Sequence, residues 1–335
     1  MRLLQSSLRI SGWFPLFVGL AGAQLGLGEE RAPLVRYEAT APIMGCTFGI
    51  AAYGPDRDAL AHDVESAFDA ARKIDGWLSN YRAGSELSRL NRSAAEGPVP
   101  VSEELFDLLA KAAEYTRATG GAFDMTVGPL VQAWGFHDGN GRVPGDAELA
   151  QAREVAGFHL VQLDPARRTV RFARAGVELD PGGIGKGYAV DRMVEVLRRA
   201  GVKSALVNAC HSSVYGLGGP PESAQGWMVE MERPTSGGTV EEVFLKDRSL
   251  STSGSHEKFF EAAGHRYSHV LDPRTGQPAE GLLAVSVLAP KALDSEVWST
   301  ALFVNGIEWA SRHAPASLGI HACPAGEECR WVRGR

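Results

Sequence analysis

Apolar and polar positions alternate from Val35 to Ala52, with β-branched residues among them, which predicts extended strand folded into a first hairpin. The period then changes. Val64, Phe68, Ala71, Ile74 and Leu78 recur at helical spacing, so Asp63 to Leu78 is predicted to be a helix with one buried face. Ser102, with Glu104 and Leu105 behind it, opens a second helix that Gly120 and Gly121 stop after Thr119. Strand-like segments follow near Val170, Val177 and Leu206, and a helix beginning at Lys186 can turn Tyr188, Val190, Met193, Val194 and Leu197 inward. Further strands are expected near Trp227, Val243, Tyr267 and Leu283, and a last helix from Asp294 to Val304. With no internal repeat or heptad run, the pattern predicts an α+β fold of mixed, largely antiparallel sheets with packed helices.

Composition narrows the setting. The 335 residues are 44% hydrophobic and 22% charged, enough to bury a sizeable core, and the formal net charge of -6 argues against sequence-independent binding of nucleic acid. Arg2 and Arg9 precede an apolar stretch from Ile10 to Ala21 and the small-residue run Ala21-Gly22-Ala23. That order predicts a signal peptide over 1–23, cleaved near Ala23, and therefore an exported protein of the periplasm or cell envelope. The competing reading is a membrane anchor, but the stretch is shorter than the ~20 residues a span needs, and no cysteine beside it can take a lipid. No stable membrane insertion is expected after cleavage. Residues 24–36 read as a linker, 37–312 as one domain and 313–335 as a C-terminal tail. Oxidising conditions would permit disulfides: Cys323 and Cys329 close a short loop and are the better candidate pair, while Cys46 and Cys210 are left free or paired.

Two runs carry the chemistry: DPGGIGKGYAVD from Asp180 to Asp191 and YSHVLDPRTGQP from Tyr267 to Pro278. The first is not a P-loop, because Asp180 and Gly187 stand where that motif needs a glycine and a Ser or Thr, and Tyr188 removes the last glycine of a dinucleotide fingerprint. What remains is a strand ending at Asp180, a tight turn and a helix carrying Lys186. Glycines in such a turn let a ligand approach the main chain, and their carbonyls can reach a cation.

Taken together, MGCTF at 44–48, SNYRAGSELSRLN at 79–91, TGGAFDMTVGPLVQAWGF at 119–136, the Asp180 run, STSG at 251–254, the Tyr267 run and SEVWSTALFVNG at 295–306 resemble the ApbE family of FAD:protein FMN transferases. The likeness covers about Tyr37 to Gly306. It implies a two-lobed, T-fold-related architecture, FAD as substrate, and magnesium or another divalent ion as cofactor. It also implies transfer of FMN to a threonine or serine of an acceptor protein with release of AMP.

The resemblance assigns roles by position. Gly183, Glu296, Ser299 and Thr300 fall at the metal positions, the last three sharing one helix face at i, i+3 and i+4. Met44, Tyr81, Ala122, Phe123, Asp124, Asp180, Lys186 and Leu271 fall at the flavin nucleotide positions, where flat apolar surfaces suit the ring and Lys186 can balance phosphate charge. His269 is the candidate general base, since an ordinary imidazole pKa of about 6.5 suits proton abstraction near neutrality. Asp272, Arg274 and Thr275 read as turn chemistry.

Two positions depart from the family pattern. Glu296 stands where aspartate is usual, and its longer side chain must fold back to meet a cation; Asp294 is a rival ligand. NACHSS at 208–213 replaces an apolar residue, paired glycines and an acidic residue, with His211 as a polar turn residue. Two other functions compete with transfer: a metal-dependent FAD pyrophosphatase giving FMN and AMP, and a non-catalytic exported flavin-binding protein.

Overall fold

The computed structural model describes residues 33–334 apart from 233, 235–239, 256 and 257, so the signal-peptide reading lies outside the described residues. The first hairpin forms from β1 (Val35–Ile43) and β2 (Cys46–Gly54), turning at Met44 and Gly45. Helix α1 (Arg57–Leu78) starts ahead of the expected Asp63, because Asp56 accepts the N–H groups of Asp58 and Ala59 at 2.8 and 3.0 Å and caps it earlier. Next come α2 (Glu86–Ser93), β3 (Val99–Pro100) and α3 (Glu103–Ala118). Ser102 caps α3 as its sequence predicts, by accepting from Leu105 N–H at 3.3 Å. Two short helices, α4 (Gly128–Ala133) and α5 (Asp146–Glu154), lead to β4 (Val161–Asp164), β5 (Thr169–Phe172) and α6 (Gly185–Arg199).

The later chain adds strands β6 (Ser204–Ala209), β7 (Ser213–Leu217), β8 (Trp227–Glu232), β9 (Val240–Leu245) and β10 (Arg248–Gly254). After them come β11 (Phe259–Ala262), β12 (His265–Ser268), β13 (Leu282–Ala289), α7 (Ala292–His313), β14 (Gly319–Pro324) and β15 (Arg330–Arg333). Eight strands form one sheet in the order β1-β2-β6-β7-β10-β13-β14-β15, every neighbouring pair antiparallel. A smaller sheet, β3-β5-β4, joins α2 to α5 in the rest of the molecule.

Both faces of the large sheet are covered. Ala205, Val207 and Ala209 of β6 belong to the main core with α1, α6 and α7, whereas Leu206 belongs to a second core with Trp227, Val229 and Val243 of the β8–β9 hairpin. Period-2 alternation thus places successive side chains in two different cores, which is why β6 is buried along its whole length.

Three expectations change. Val177 to Asp180 is not a strand: Asn91 takes the place of a neighbouring strand, its side chain accepting Leu179 N–H and donating to Leu179 C=O, both at 3.0 Å, while Asp180 N–H donates to Met125 C=O. The segment read as a tail contributes β14 and β15 to the main sheet, with Cys323 and Cys329 joined across their turn. The last helix runs past Val304 to His313, bending at Gly306, whose φ of 79° is left-handed.

Candidate active site

A cavity of about 230 Å³ opens where the turn before α6, the Ala122–Phe136 region, the end of β10, the segment after β12 and the first turns of α7 meet. Tyr81, Ala122, Phe123, Asp124, Asp180 and Lys186 line it, as do Gly183, His269, Leu271, Glu296, Ser299 and Thr300. Met44 does not. It occupies the left-handed first position of the β1–β2 turn, with φ of 52°, and its side chain is half-buried against the main core.

The cavity depends on a close approach of α6 to α7. A Cβ at Gly187 would lie 2.3 Å from the Ala292 carbonyl oxygen, so only glycine lets the two helices touch there. Contact brings Glu296 of α7 to the start of α6, where its Oε2 accepts the Gly187 N–H at 2.6 Å. Helix α6 has no side-chain cap of its own, and Glu296 supplies one from a neighbouring helix. Asp191 works in the opposite direction: it accepts the Ala292 and Leu293 N–H groups at 2.8 and 3.1 Å and caps α7. Each helix therefore fixes the other's N-terminus.

Glu296 is 5% exposed, and its other oxygen, Oε1, has no hydrogen-bond partner. Burial pushes its carboxyl up to about 7, against the pull of the Lys186 ammonium and the Gly187 N–H. A buried carboxylate oxygen without a partner is costly unless a cation or proton meets it. Around it the Ser299 and Thr300 hydroxyls donate to the Glu296 carbonyl at 2.9 and 3.2 Å, which leaves oxygen lone pairs available. Ser253 Oγ lies 2.9 Å from Ser299 Oγ and 3.3 Å from Thr300 Oγ1. A Cβ built on Gly183 would stand 3.5 Å from Thr300 Oγ1, so the glycine turn passes directly beside this face. One orphaned carboxylate oxygen among hydroxyls is a donor set that fits a hard divalent cation, which also takes water and substrate oxygens. Asp294, the rival ligand, is outside the cavity lining and accepts a hydrogen bond from the Tyr115 hydroxyl.

The two aspartates at the cavity are already engaged. Asp124 accepts Thr126 N–H and O–H on one oxygen, at 2.9 and 2.7 Å, and Phe158 N–H on the other at 2.8 Å. Asp180 accepts Gly182 N–H at 2.7 Å and the Asn80 amide at 2.8 Å, which sets the glycine turn. Burial raises both carboxyls above their ordinary range, and these bonds oppose it. Tyr81, 67% exposed, stacks on His137 with ring centres 4.6 Å apart and offers a flat face at the cavity. Asp272 holds Arg274 through its N–H and guanidinium at 2.8 to 2.9 Å, the turn chemistry its sequence predicts.

His269 donates Nδ1–H to the Lys258 carbonyl at 2.9 Å and packs edge-on near Phe136. Burial, then the Lys258 and Lys186 ammoniums, pull its pKa down to about 4. Lys258, Phe136, Ser212 and Ser213 also line the cavity and were not singled out from sequence as site residues. Ser253 sits within the STSG run, so a finer reading of that motif would have found it. Lys258 lies in no motif and reaches the cavity only because β11 pairs with β12.

The chain matches the model of the ApbE family over residues 44–323. It is 32% identical over 307 residues to the FAD:protein FMN transferase of Salmonella typhimurium, covering 88% of this chain and 87% of that one. The chain belongs to the ApbE family. A Klebsiella pneumoniae FAD:protein FMN transferase is 34% identical over 81% of this chain and 83% of its own length. Among solved structures, the flavin transferase ApbE of Vibrio cholerae superposes with a TM-score of 0.78 at 26% identity, covering 89% of this chain and 97% of that one. The apo flavinyl transferase ApbE of Pseudomonas stutzeri gives 0.77 at 30% identity, covering 89% and 95%. These matches settle the α+β fold as that of ApbE proteins.

Within the ApbE pattern the NACHSS departure has a local cause. Within that stretch Cys210 and His211 both adopt left-handed φ angles, of 58° and 59°, a conformation that favours glycine. Cys210 is bonded to Cys46, beside the equally left-handed Met44–Gly45 turn, with Cα atoms 5.6 Å apart. A covalent link between two tight turns holds a conformation that glycine would otherwise permit. His211 is exposed, its N–H donating to Asn208 Oδ1 at 3.0 Å, in keeping with a polar turn.

Proposed function

We propose that the protein is an FAD:protein FMN transferase. The observation that carries this reading is one cavity holding His269, Lys186 and the unpartnered oxygen of Glu296. In the reaction, a threonine or serine hydroxyl of an acceptor protein attacks the phosphorus on the flavin side of the FAD diphosphate. The new oxygen–phosphorus bond forms as the bond to the AMP phosphate breaks. AMP leaves, and the hydroxyl proton passes to Nε2 of His269.

Each wall of the cavity suits one part of this. Tyr81, Phe123 and Leu271 offer apolar surface to the isoalloxazine, and Lys186 places positive charge for the diphosphate. Glu296, Thr300, Ser299 and the Gly183 carbonyl are the residues that would hold magnesium, which when bound would neutralise diphosphate charge. Asp124 and Asp180 act through the main chain, by fixing the Met125–Val127 turn and the glycine turn against which the nucleotide lies.

Export is part of the proposal. It is supported by the N-terminal pattern and by two disulfides, which persist in oxidising compartments. Among the described residues, no helix is long and apolar enough to cross a membrane.

The test is to incubate the mature protein with FAD, magnesium and a candidate acceptor domain, then measure AMP and the acceptor's mass. AMP with a mass gain of one FMN is expected. AMP without it would replace transfer by hydrolysis, and neither product would leave a flavin-binding protein.

A further inference from the structure

Lys258 precedes β11, and its carbonyl oxygen accepts two hydrogen bonds from one residue: His269 N–H at 3.1 Å and His269 Nδ1 at 2.9 Å. A carbonyl can only accept, so Nδ1 must carry hydrogen and the lone pair of the neutral ring must sit on Nε2. The contact is built by the β11–β12 hairpin, in which Phe259 pairs with Ser268 and Phe260 stacks on Tyr267 with centres 5.0 Å apart. The exposed Lys258 side chain lines the same cavity as His269, Lys186 and Asp180.

We propose that Lys258 is a positioning residue for flavin transfer: its carbonyl fixes the His269 tautomer, and its ammonium ties the basicity of that ring to the presence of a diphosphate. This rests on the transfer reading above. The charged groups around the ring are few. Lys258 faces it from the approach to β11 and Lys186 from the first turn of α6, and both act against protonation. Of the carboxylates that line the cavity, Asp124 and Asp180 already accept bonds from the chain, and Glu296 is drawn to Gly187 and Lys186. In the free protein, burial together with the Lys258 and Lys186 ammoniums leaves His269 a weak base. A diphosphate between those ammoniums offsets their charge, and the imidazole regains the basicity needed to take a hydroxyl proton. The base then strengthens when substrate arrives.

The test is a pH titration of His269 by NMR in protein carrying ¹⁵N-labelled histidine, for the wild type, Lys258→Gln and Lys258→Arg, each free and with FAD in EDTA. Free wild-type protein should show the Nδ1–H tautomer with a midpoint near pH 4. Lys258→Gln should keep that tautomer, since the carbonyl remains, and move the midpoint up by about one pH unit, while Lys258→Arg restores it. FAD should raise the wild-type midpoint, and raise that of Lys258→Gln by less. In turnover, Lys258→Gln should increase KM for FAD by roughly tenfold and leave kcat within about threefold. An Nε2–H tautomer, or identical titrations in wild type and Lys258→Gln, would overturn the proposal. A wild-type protein that binds no FAD in EDTA or with magnesium would remove the transfer reading and the diphosphate half of the proposal, while the free-protein titrations would still decide the tautomer and the charge effect.

Discussion

The Glu296 carboxylate accepts the Gly187 N–H at 2.6 Å, so a side chain of α7 closes the start of α6. The extra methylene relative to aspartate helps it span that gap, and its second oxygen stays unpartnered in a residue that lines the cavity with Thr300. One side chain thus has a structural oxygen and a chemical one.

Glu296→Asp should separate the two. The shorter carboxylate gives up Gly187, so amide exchange at Gly187 should speed up, while magnesium affinity rises as the group is freed for the cation. Glu296→Gln keeps an acceptor for Gly187 but no charge, and should weaken magnesium binding by roughly tenfold or more with little change in Tm. Titration calorimetry and thermal melts check both; an unchanged magnesium titration in each variant would remove Glu296 from the metal site.

Gly187→Ala places a Cβ 2.3 Å from the Ala292 carbonyl oxygen. The helices must separate, and the expected loss is about 1–3 kcal/mol of stability, measured by urea denaturation. Flavin affinity should fall with it, because the same contact seats Glu296. Full stability would mean that α6 and α7 are not held as described.

Removing the Cys46–Cys210 bond should cost about 2–4 kcal/mol. The choice of replacement matters, since Cys210 is left-handed. The pair Cys46→Ala with Cys210→Gly should be more stable than Cys46→Ala with Cys210→Ala by about 1 kcal/mol, because glycine adopts that conformation without the Cβ penalty. Equal denaturation midpoints for the two double variants would show that the turn relaxes once the bond is gone.

Asp191 links stability to pH. Burial raises its pKa to about 6, opposed by the Ala292 and Leu293 N–H groups and reinforced by the nearby Asp294 carboxylate. A carboxyl whose folded pKa exceeds its unfolded value binds more protons when folded, so its contribution is favourable at low pH and is lost as pH rises from about 4 through 6. Asp191→Asn carries no such charge. The stability of this variant relative to wild type should therefore improve between pH 4.5 and pH 7.5, as read from denaturation midpoints. A constant difference across that range would show that the group ionises as easily folded as unfolded.

Much of the fold and site was legible because it depends on local chemistry. Asp180, the glycine turn and Lys186 are contiguous, and Glu296, Ser299 and Thr300 share a face through helical spacing alone. What could not be read depends on partners distant in sequence. An extended apolar stretch looks the same whether its backbone is bonded by a strand or, as at Leu179, by the side chain of Asn91. Lys258 owes its place to hairpin register, and Met44 stands in a turn outside the cavity lining. The proximity of Cys46 to Cys210 follows from β2 lying beside β6, a pairing that no spacing encodes.

Strand β14 lies between β13 and β15, and β13 lies beside β10, which carries Ser253. During synthesis, that wall of the cavity has no completed support until residues beyond Gly319 have left the ribosome. Ligand binding by a nascent chain must therefore await synthesis of β14, and loss of that strand will register as misfolding before it registers as lost chemistry.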